Sequence, residues 1–144
     1  SFIDLGCGFG TGTDQMWNFF KDAPTKVGLD RDKNALLKHQ KAFPDGIFVV
    51  AEAYWIDQLF LDKSFDLVIA SHFLEHFPKN VGLKLIKKME NLSKKQVLIA
   101  VPIPYTDSEG HLSNWTKEDF EELGYEVFES KETPKHILAI KWLE

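Results

Sequence analysis

Short, nearly uninterrupted apolar runs alternate along this chain with longer stretches of helical periodicity. Phe2-Ile3-Asp4-Leu5, Val27-Gly28-Leu29, Ile47-Phe48-Val49-Val50-Ala51, Phe65-Asp66-Leu67-Val68-Ile69-Ala70 and Val97-Leu98-Ile99-Ala100-Val101 have the length and composition of strands covered on both faces. The third of these, residues 47–51, is expected to be a short buried strand. Residues 13–20 form a helix after the first run. Asp32 to Phe43 sets Ala35, Leu36, His39 and Phe43 on related faces and stops at Pro44-Asp45-Gly46. Ser71 to His76 reads as a loop or helix start, and Val81 to Leu92 as a basic amphipathic helix. Thr116 caps a further helix that Gly124 ends, and runs at 125–128 and 137–140 read as a closing hairpin. Strand and helix alternate as a parallel sheet with crossover helices requires. The fold expected is α/β, a Rossmann-like doubly wound and mainly parallel sheet with an antiparallel C-terminal hairpin.

The turn after the first strand carries the chemistry. Gly6, Gly8 and Gly10 let the backbone reverse sharply and let a ligand lie against it, and the following helix offers free amides to a negative group. Asp30 stands 20 residues after Gly10 at the end of the second strand, where a carboxylate accepts hydrogen bonds from both hydroxyls of a ribose. A nicotinamide or flavin fingerprint requires G-x-G-x-x-G, and the residues in the completing positions are Thr11, Thr13 and Gln15. No register completes it.

Composition narrows the setting. A chain of 144 residues with 44% hydrophobic and 13% aromatic content, no repeats and no Pro/Ser-rich linker is expected to form one domain over 1–144. Seventeen basic against 22 acidic residues leave a net charge of -5, which opposes a nucleic-acid partner unless Lys79, Lys84, Lys87, Lys88, Lys94 and Lys95 gather into a patch. The solvated helix face is the simpler reading of those lysines. The lone Cys7 cannot make an internal disulfide, and no apolar stretch has the length of a membrane span or the form of a signal peptide, so a cytoplasmic setting is expected. Inside the glycine loop, Cys7 reads as a small packing residue rather than a nucleophile.

The segment Asp4-x-Gly6-x-Gly8-x-Gly10 resembles the D/E-x-G-x-G-x-G loop of class I S-adenosylmethionine-dependent methyltransferases. The element order is similar to the seven-stranded sheet of that family, and Leu74-Glu75-His76 after the fourth strand and His111 to Thr116 before Gly124-Tyr125 match segments of its small cytoplasmic members. The resemblance implies S-adenosylmethionine as cofactor. It places Asp4 and Gly10 in the binding loop, Gly6, Cys7, Gly8 and Phe9 on the methionine part, Asp30 on the ribose, Arg31, Glu52 and Ala53 on the adenine, and Ser71 and His72 on the sulfonium side. Related enzymes carry helices before the first strand that cover the cofactor; this sequence begins at the strand.

The reaction implied is in-line attack on the sulfonium methyl, which needs orientation and a dry pocket, plus a base where the acceptor must lose a proton. His72, just beyond the fourth strand, is the candidate base; lining the pocket or capping the next helix is its plainer role. His72-x-x-Glu75-His76 also has zinc-protease spacing, but it follows a strand rather than sitting on a helix, and no metal is expected. Methyltransferases of catechol-like or RNA 3′-end substrates hold a divalent ion with a similar set, in which a glutamate stands where this chain has His72. Tyr105, Trp55 and Trp115 are candidates to stack on a flat acceptor, packing being the simpler account of each, above all of Trp55. A small-molecule acceptor is expected, with no membrane and no nucleic acid as partner. The alternatives are a non-catalytic S-adenosylmethionine-binding module and an NAD-dependent oxidoreductase; the missing third glycine and absent Tyr-x-x-x-Lys pair oppose the latter.

Overall fold

The computed structural model describes residues 1–103, 110–130 and 135–144. The first apolar run is β1 (Phe2–Leu5), followed by α1 (Thr11–Phe19), β2 (Lys26–Asp30), α2 (Lys33–Ala42) and β3 (Ile47–Val50). A 3-10 turn (Ala53–Trp55) leads to the short α3 (Ile56–Leu59), then β4 (Phe65–Ser71), a second 3-10 turn (Leu74–His76) and α4 (Lys79–Leu92). The chain closes with β5 (Ser93–Pro102), α5 (Lys117–Glu122), β6 (Glu126–Glu129) and β7 (His136–Trp142). The strands lie in one sheet in the order β3-β2-β1-β4-β5-β7-β6. Pairing is parallel from β3 through β5 and antiparallel for β5 with β7 and for β7 with β6. The expected α/β sheet and closing antiparallel pair are both present.

Helix boundaries follow local chemistry. The Asp32 carboxylate accepts the amides of Asn34 (2.9 Å) and Ala35 (3.2 Å) and so starts α2 where the sequence places it. Thr116 and Asp119 form a reciprocal capping box at α5. Each such cap contributes about 1 kcal/mol.

Alternate residues of the central strands feed two apolar layers. Ile3 and Leu5 join Leu85, Ile86, Met89 and Leu92 of α4 in the larger one, while Phe2 and Ile69 pack with Trp17 and Phe43 in the other. Trp115 is buried in the larger layer, stacked on Phe120 with centroids 5.5 Å apart. A Cβ on Gly82 of α4 would lie 2.5 Å from its ring, so a glycine there is what admits the indole. Trp115 is therefore core and does not face an acceptor.

One expectation is corrected. β3 is not a buried strand: it is the sheet's edge, with Ile47 54% and Val50 55% exposed, because only β2 pairs with it among the described strands. Trp55, for which core or rim packing is the simpler account, sits 55% exposed, with the Lys88 ammonium 5.6 Å from its ring centre. Tyr105 lies outside the described residues.

Candidate functional site

The sheet order reverses direction between β1 and β4, and open α/β sheets bind ligands at the carboxyl ends of strands beside such a point. The glycine loop starts there. Gly6 and Gly8 take φ values of +65° and +51°, a left-handed conformation that side chains disfavour. At Gly6 space is also exhausted: a Cβ would lie 2.1 Å from Cδ2 of Phe73. The loop is tied to β2 by the amides of Gly6 and Cys7, which both donate to the Leu29 carbonyl (2.8 and 3.1 Å).

Asp30, the last residue of β2, is fixed by two backbone bonds. Oδ2 accepts the Gly8 amide at 2.8 Å and Oδ1 the Asp32 amide at 2.8 Å. Each oxygen keeps a second acceptor position, so the carboxylate is oriented without being consumed. From the other side, His39 of α2 holds Gly8 through its Nδ1, 3.2 Å from the Gly8 carbonyl. The carbonyl only accepts, so this nitrogen carries the proton. The ring is fully buried against Trp17, Phe43 and Phe48, its Nε2 has no hydrogen-bond partner, and burial lowers its pKa; it is a neutral strut. Trp17 in turn donates its indole N–H to Asp4 Oδ2 at 2.9 Å. Burial pushes the Asp4 carboxyl up to about 7, opposed by that bond and reinforced by the charge of Asp30.

A cavity of about 310 Å³ opens beside the loop, lined by Gly6, Leu29, Asp30, Arg31, Ala51, Glu52, Ala53, His72, Phe73, His76 and Phe77. Its size is at the lower end of the range of small-molecule sites. It brings together six residues singled out from the sequence: Gly6, Asp30, Arg31, Glu52, Ala53 and His72. Arg31 and Glu52 are exposed on its rim, their charged groups 4.0 Å apart. Asp4, Cys7, Gly8, Phe9, Gly10 and Ser71 stand behind or beside it rather than on its wall. Asp4 faces the core, and Cys7 is buried close against Gly28, whose Cβ position lies 2.9 Å from the sulfur. Burial first, then the charges of Asp4 and Asp30, push the Cys7 thiol far up, which suits packing and not nucleophilic attack. Phe9 is partly exposed near His39, and Ser71 ends β4.

A further part of the cavity wall comes from the chain beyond β4. His72 has φ +50°, unusual for a residue with a side chain, and its amide donates to the Ala100 carbonyl at 2.8 Å. Such strain costs on the order of 1 kcal/mol and persists where surrounding structure imposes it. The residue as a whole is exposed, but partial desolvation of its imidazole first, and then His136, His111 and His76, hold it below its ordinary pKa. It is therefore neutral near pH 7, with a lone pair available. Phe73 and Phe77 pack edge to face at 4.9 Å and give this wall its apolar part. Phe73 and Phe77, and the role of His39 as a strut under Gly8, escaped the sequence reading. The signals were the Phe73-x-x-x-Phe77 spacing beside the loop and the position of His39 on the apolar face of α2.

Three of the six lysines are paired with acidic partners, Lys79 with Asp119, Lys88 with Asp57 and Lys95 with Asp66. Among the described residues no helix is long and apolar enough to cross a membrane.

The left-handed glycine loop, the oriented carboxylate of Asp30 and the cavity between them fit a nucleoside with an attached amino-acid chain. A methyltransferase-domain family model matches residues 3–101. The structure is similar to a SAM-dependent methyltransferase from Archaeoglobus fulgidus, 18% identical, with a TM-score of 0.76 over 99% of this chain and 85% of that one. It is also similar to magnesium protoporphyrin IX methyltransferase from Synechocystis with bound SAH, 13% identical, TM-score 0.74, over 99% and 74% of the two chains. An O-methyltransferase family protein from Burkholderia thailandensis is 15% identical, with a TM-score of 0.73 over 97% of this chain and 50% of its own length. No curated protein matches the chain significantly. At these identities the solved structures speak for the fold, and the family model speaks for descent: this chain belongs to the methyltransferase-domain family, the class I enzymes that depend on S-adenosylmethionine.

Proposed function

We propose that this chain methylates a small-molecule acceptor, with His72 as the base that receives the acceptor's proton. The observation that carries the proposal is that Asp30 and His72 line one and the same cavity. In this reading Asp30 accepts from the two ribose hydroxyls, while Arg31, Glu52 and Ala53 border the adenine. The loop of Gly6, Cys7, Gly8, Phe9 and Gly10, backed by Asp4, receives the methionine part, and Ser71 and His72 lie on the sulfonium side. Bound S-adenosylmethionine supplies an electrophilic methyl group on a sulfonium.

The protein's own contribution is orientation, exclusion of water and proton removal. The Gly8 amide and the His39 strut keep the loop and Asp30 in register, so binding energy is not consumed in ordering them. Phe73 and Phe77 keep water from the reacting end. His72, neutral because burial and neighbouring histidines lower its pKa, accepts a proton at a ring nitrogen as the acceptor attacks. A net charge of -5 and the pairing of Lys79, Lys88 and Lys95 with acidic partners favour a small molecule over a nucleic acid. A cytoplasmic setting belongs to the same proposal, Cys7 being a buried free thiol.

Calorimetric titration with S-adenosylmethionine, S-adenosylhomocysteine and NAD tests the cofactor site, and a screen of small nucleophiles in single turnover tests the acceptor class. Binding of the first two titrants and not of NAD is expected. Turnover on RNA but on no small nucleophile would overturn the acceptor class and leave the cofactor site standing.

A further inference from the structure

The turn beyond β4 carries a second group of donors that proton removal by His72 leaves unused. Glu75 and His76 of the 3-10 turn and His111 each bring one ligand atom to within 4.8 Å of the others. The two segments that supply them are locked together. The Leu112 and Ser113 amides both donate to the Glu75 carbonyl (2.7 and 3.2 Å), and the Ser113 hydroxyl donates to the Leu74 carbonyl (3.3 Å).

Two details say what this group lacks. Glu75 is only 2% exposed, and its Oε2 has no hydrogen-bond partner, a costly state for a carboxylate oxygen. His76 Nδ1 lies 3.0 Å from the Gly110 carbonyl, which can only accept, so Nδ1 carries a proton and Nε2 is the nitrogen on which a lone pair can stand. That Nε2 faces Glu75 Oε1 at 3.8 Å, and the His111 ring stands edge to face with that of His76, centroids 5.0 Å apart. The unpartnered carboxylate oxygen of Glu75 and the Nε2 of His76 thus lie together, with a ring nitrogen of His111 within the same 4.8 Å. A backbone carbonyl holding the far ring nitrogen is also how proteins orient an imidazole that ligates a metal.

We infer that Glu75, His76 and His111 bind one divalent transition-metal ion, contrary to the expectation from sequence that the chain holds none. Two imidazoles and a carboxylate suit Zn²⁺, Mn²⁺ or Co²⁺ better than Mg²⁺ or Ca²⁺. Three protein ligands leave positions open, as in sites that bind a further molecule. His76 also lines the cavity, so the ion stands at its acceptor end, where it suits an acceptor that presents an oxygen. That last step, unlike the metal site itself, rests on the methyltransferase reading.

The other way to satisfy the geometry is a proton on His76 Nε2, which makes an ordinary ion pair with Glu75, and the experiment separates the two. Co²⁺ is titrated into the metal-free chain and followed by its visible d–d absorption, with Zn²⁺ as competitor. The expected result is a band that saturates at about one equivalent and is abolished by Zn²⁺. His76→Ala and His111→Ala, at exposed and half-buried positions that spare the core, each weaken Co²⁺ binding by at least about tenfold; His136→Ala, beside His72 but outside the set, leaves it unchanged. Absence of saturable binding, or equal losses in all three variants, overturns the metal site. Parallel titration with S-adenosylmethionine keeps the two proposals apart: cofactor binding without Co²⁺ binding removes only the metal, and Co²⁺ binding without cofactor binding removes only the cofactor site.

Discussion

Asp4→Asn is expected to stabilise the fold at neutral and alkaline pH and to remove a pH dependence that the natural residue imposes. Asp4 lies beneath the glycine loop, 2% exposed, bonded to the indole of Trp17 and pushed up to about 7 chiefly by burial. In the unfolded chain its carboxyl returns to about 3.8. A raised carboxyl binds its proton more tightly in the folded state, so its contribution is most favourable below about pH 4, declines between about 4 and 7, and is constant above. A displacement of about three pH units at 1.36 kcal/mol each amounts to about 4 kcal/mol, and relaxation around the charge reduces the measurable part to about 2–4 kcal/mol. Asparagine has the same shape, carries no charge and can still accept the Trp17 N–H through its Oδ1. Urea unfolding of both proteins at about pH 4.5, 6 and 8 reads the effect as the difference between their stabilities, which cancels groups common to both. The two are expected to be nearly equal at the acid end and to diverge in favour of the asparagine variant as the pH rises. A difference independent of pH, or a less stable variant at about pH 8, would refute the reasoning that the charge is buried at a cost.

Three further outcomes follow from the site. Gly6→Ala forces a side chain into a left-handed residue and against Phe73, and is expected to cost about 2–4 kcal/mol in thermal unfolding, with Phe73→Ala restoring only the steric part. Asp30→Ala removes the ribose acceptor and the partners of the Gly8 and Asp32 amides together, weakening S-adenosylmethionine binding by about 1.5–3 kcal/mol in calorimetry; unchanged affinity sinks the ribose assignment. His72→Ala is expected to leave cofactor affinity intact and to lower single-turnover methylation of a protonated acceptor by about 10²–10⁴-fold, and an undiminished rate would reduce His72 to a lining residue.

Elements that depend on their own residues were readable in advance. α2 runs from its Asp32 cap to Phe43 because both signals are local, and Asp30 is recognisable from its distance to the glycines. What escaped depends on neighbours distant in sequence. Ile47 to Ala51 has the composition of a buried strand, but only the sheet order reveals that it lies at an edge. Trp115 passes for an acceptor platform until Gly82, far away on α4, is seen to make room for it. In the site, the left-handed turn at His72 decides that Phe73 points at Gly6 and that His76 reaches the cavity, and backbone angles of that kind leave little trace in residue type. The pairing of His76 with Gly110, and of Leu112 and Ser113 with Glu75, likewise exists only once two separate segments meet.

The position of β3 has a kinetic consequence. This strand is hydrogen-bonded on one side only among the described strands, yet the residues just beyond it, Ala51 to Ala53, form part of the cavity wall. The central β1, paired on both sides, opens only with the whole domain, whereas an edge strand exchanges its amides through small local openings. In hydrogen exchange β3 is thus the first strand of the parallel half to lose its protons. A ligand that bridges Asp30 and Ala53 would slow β3 while leaving β1 unchanged, so the edge strand itself becomes the most sensitive clock for occupancy of the site.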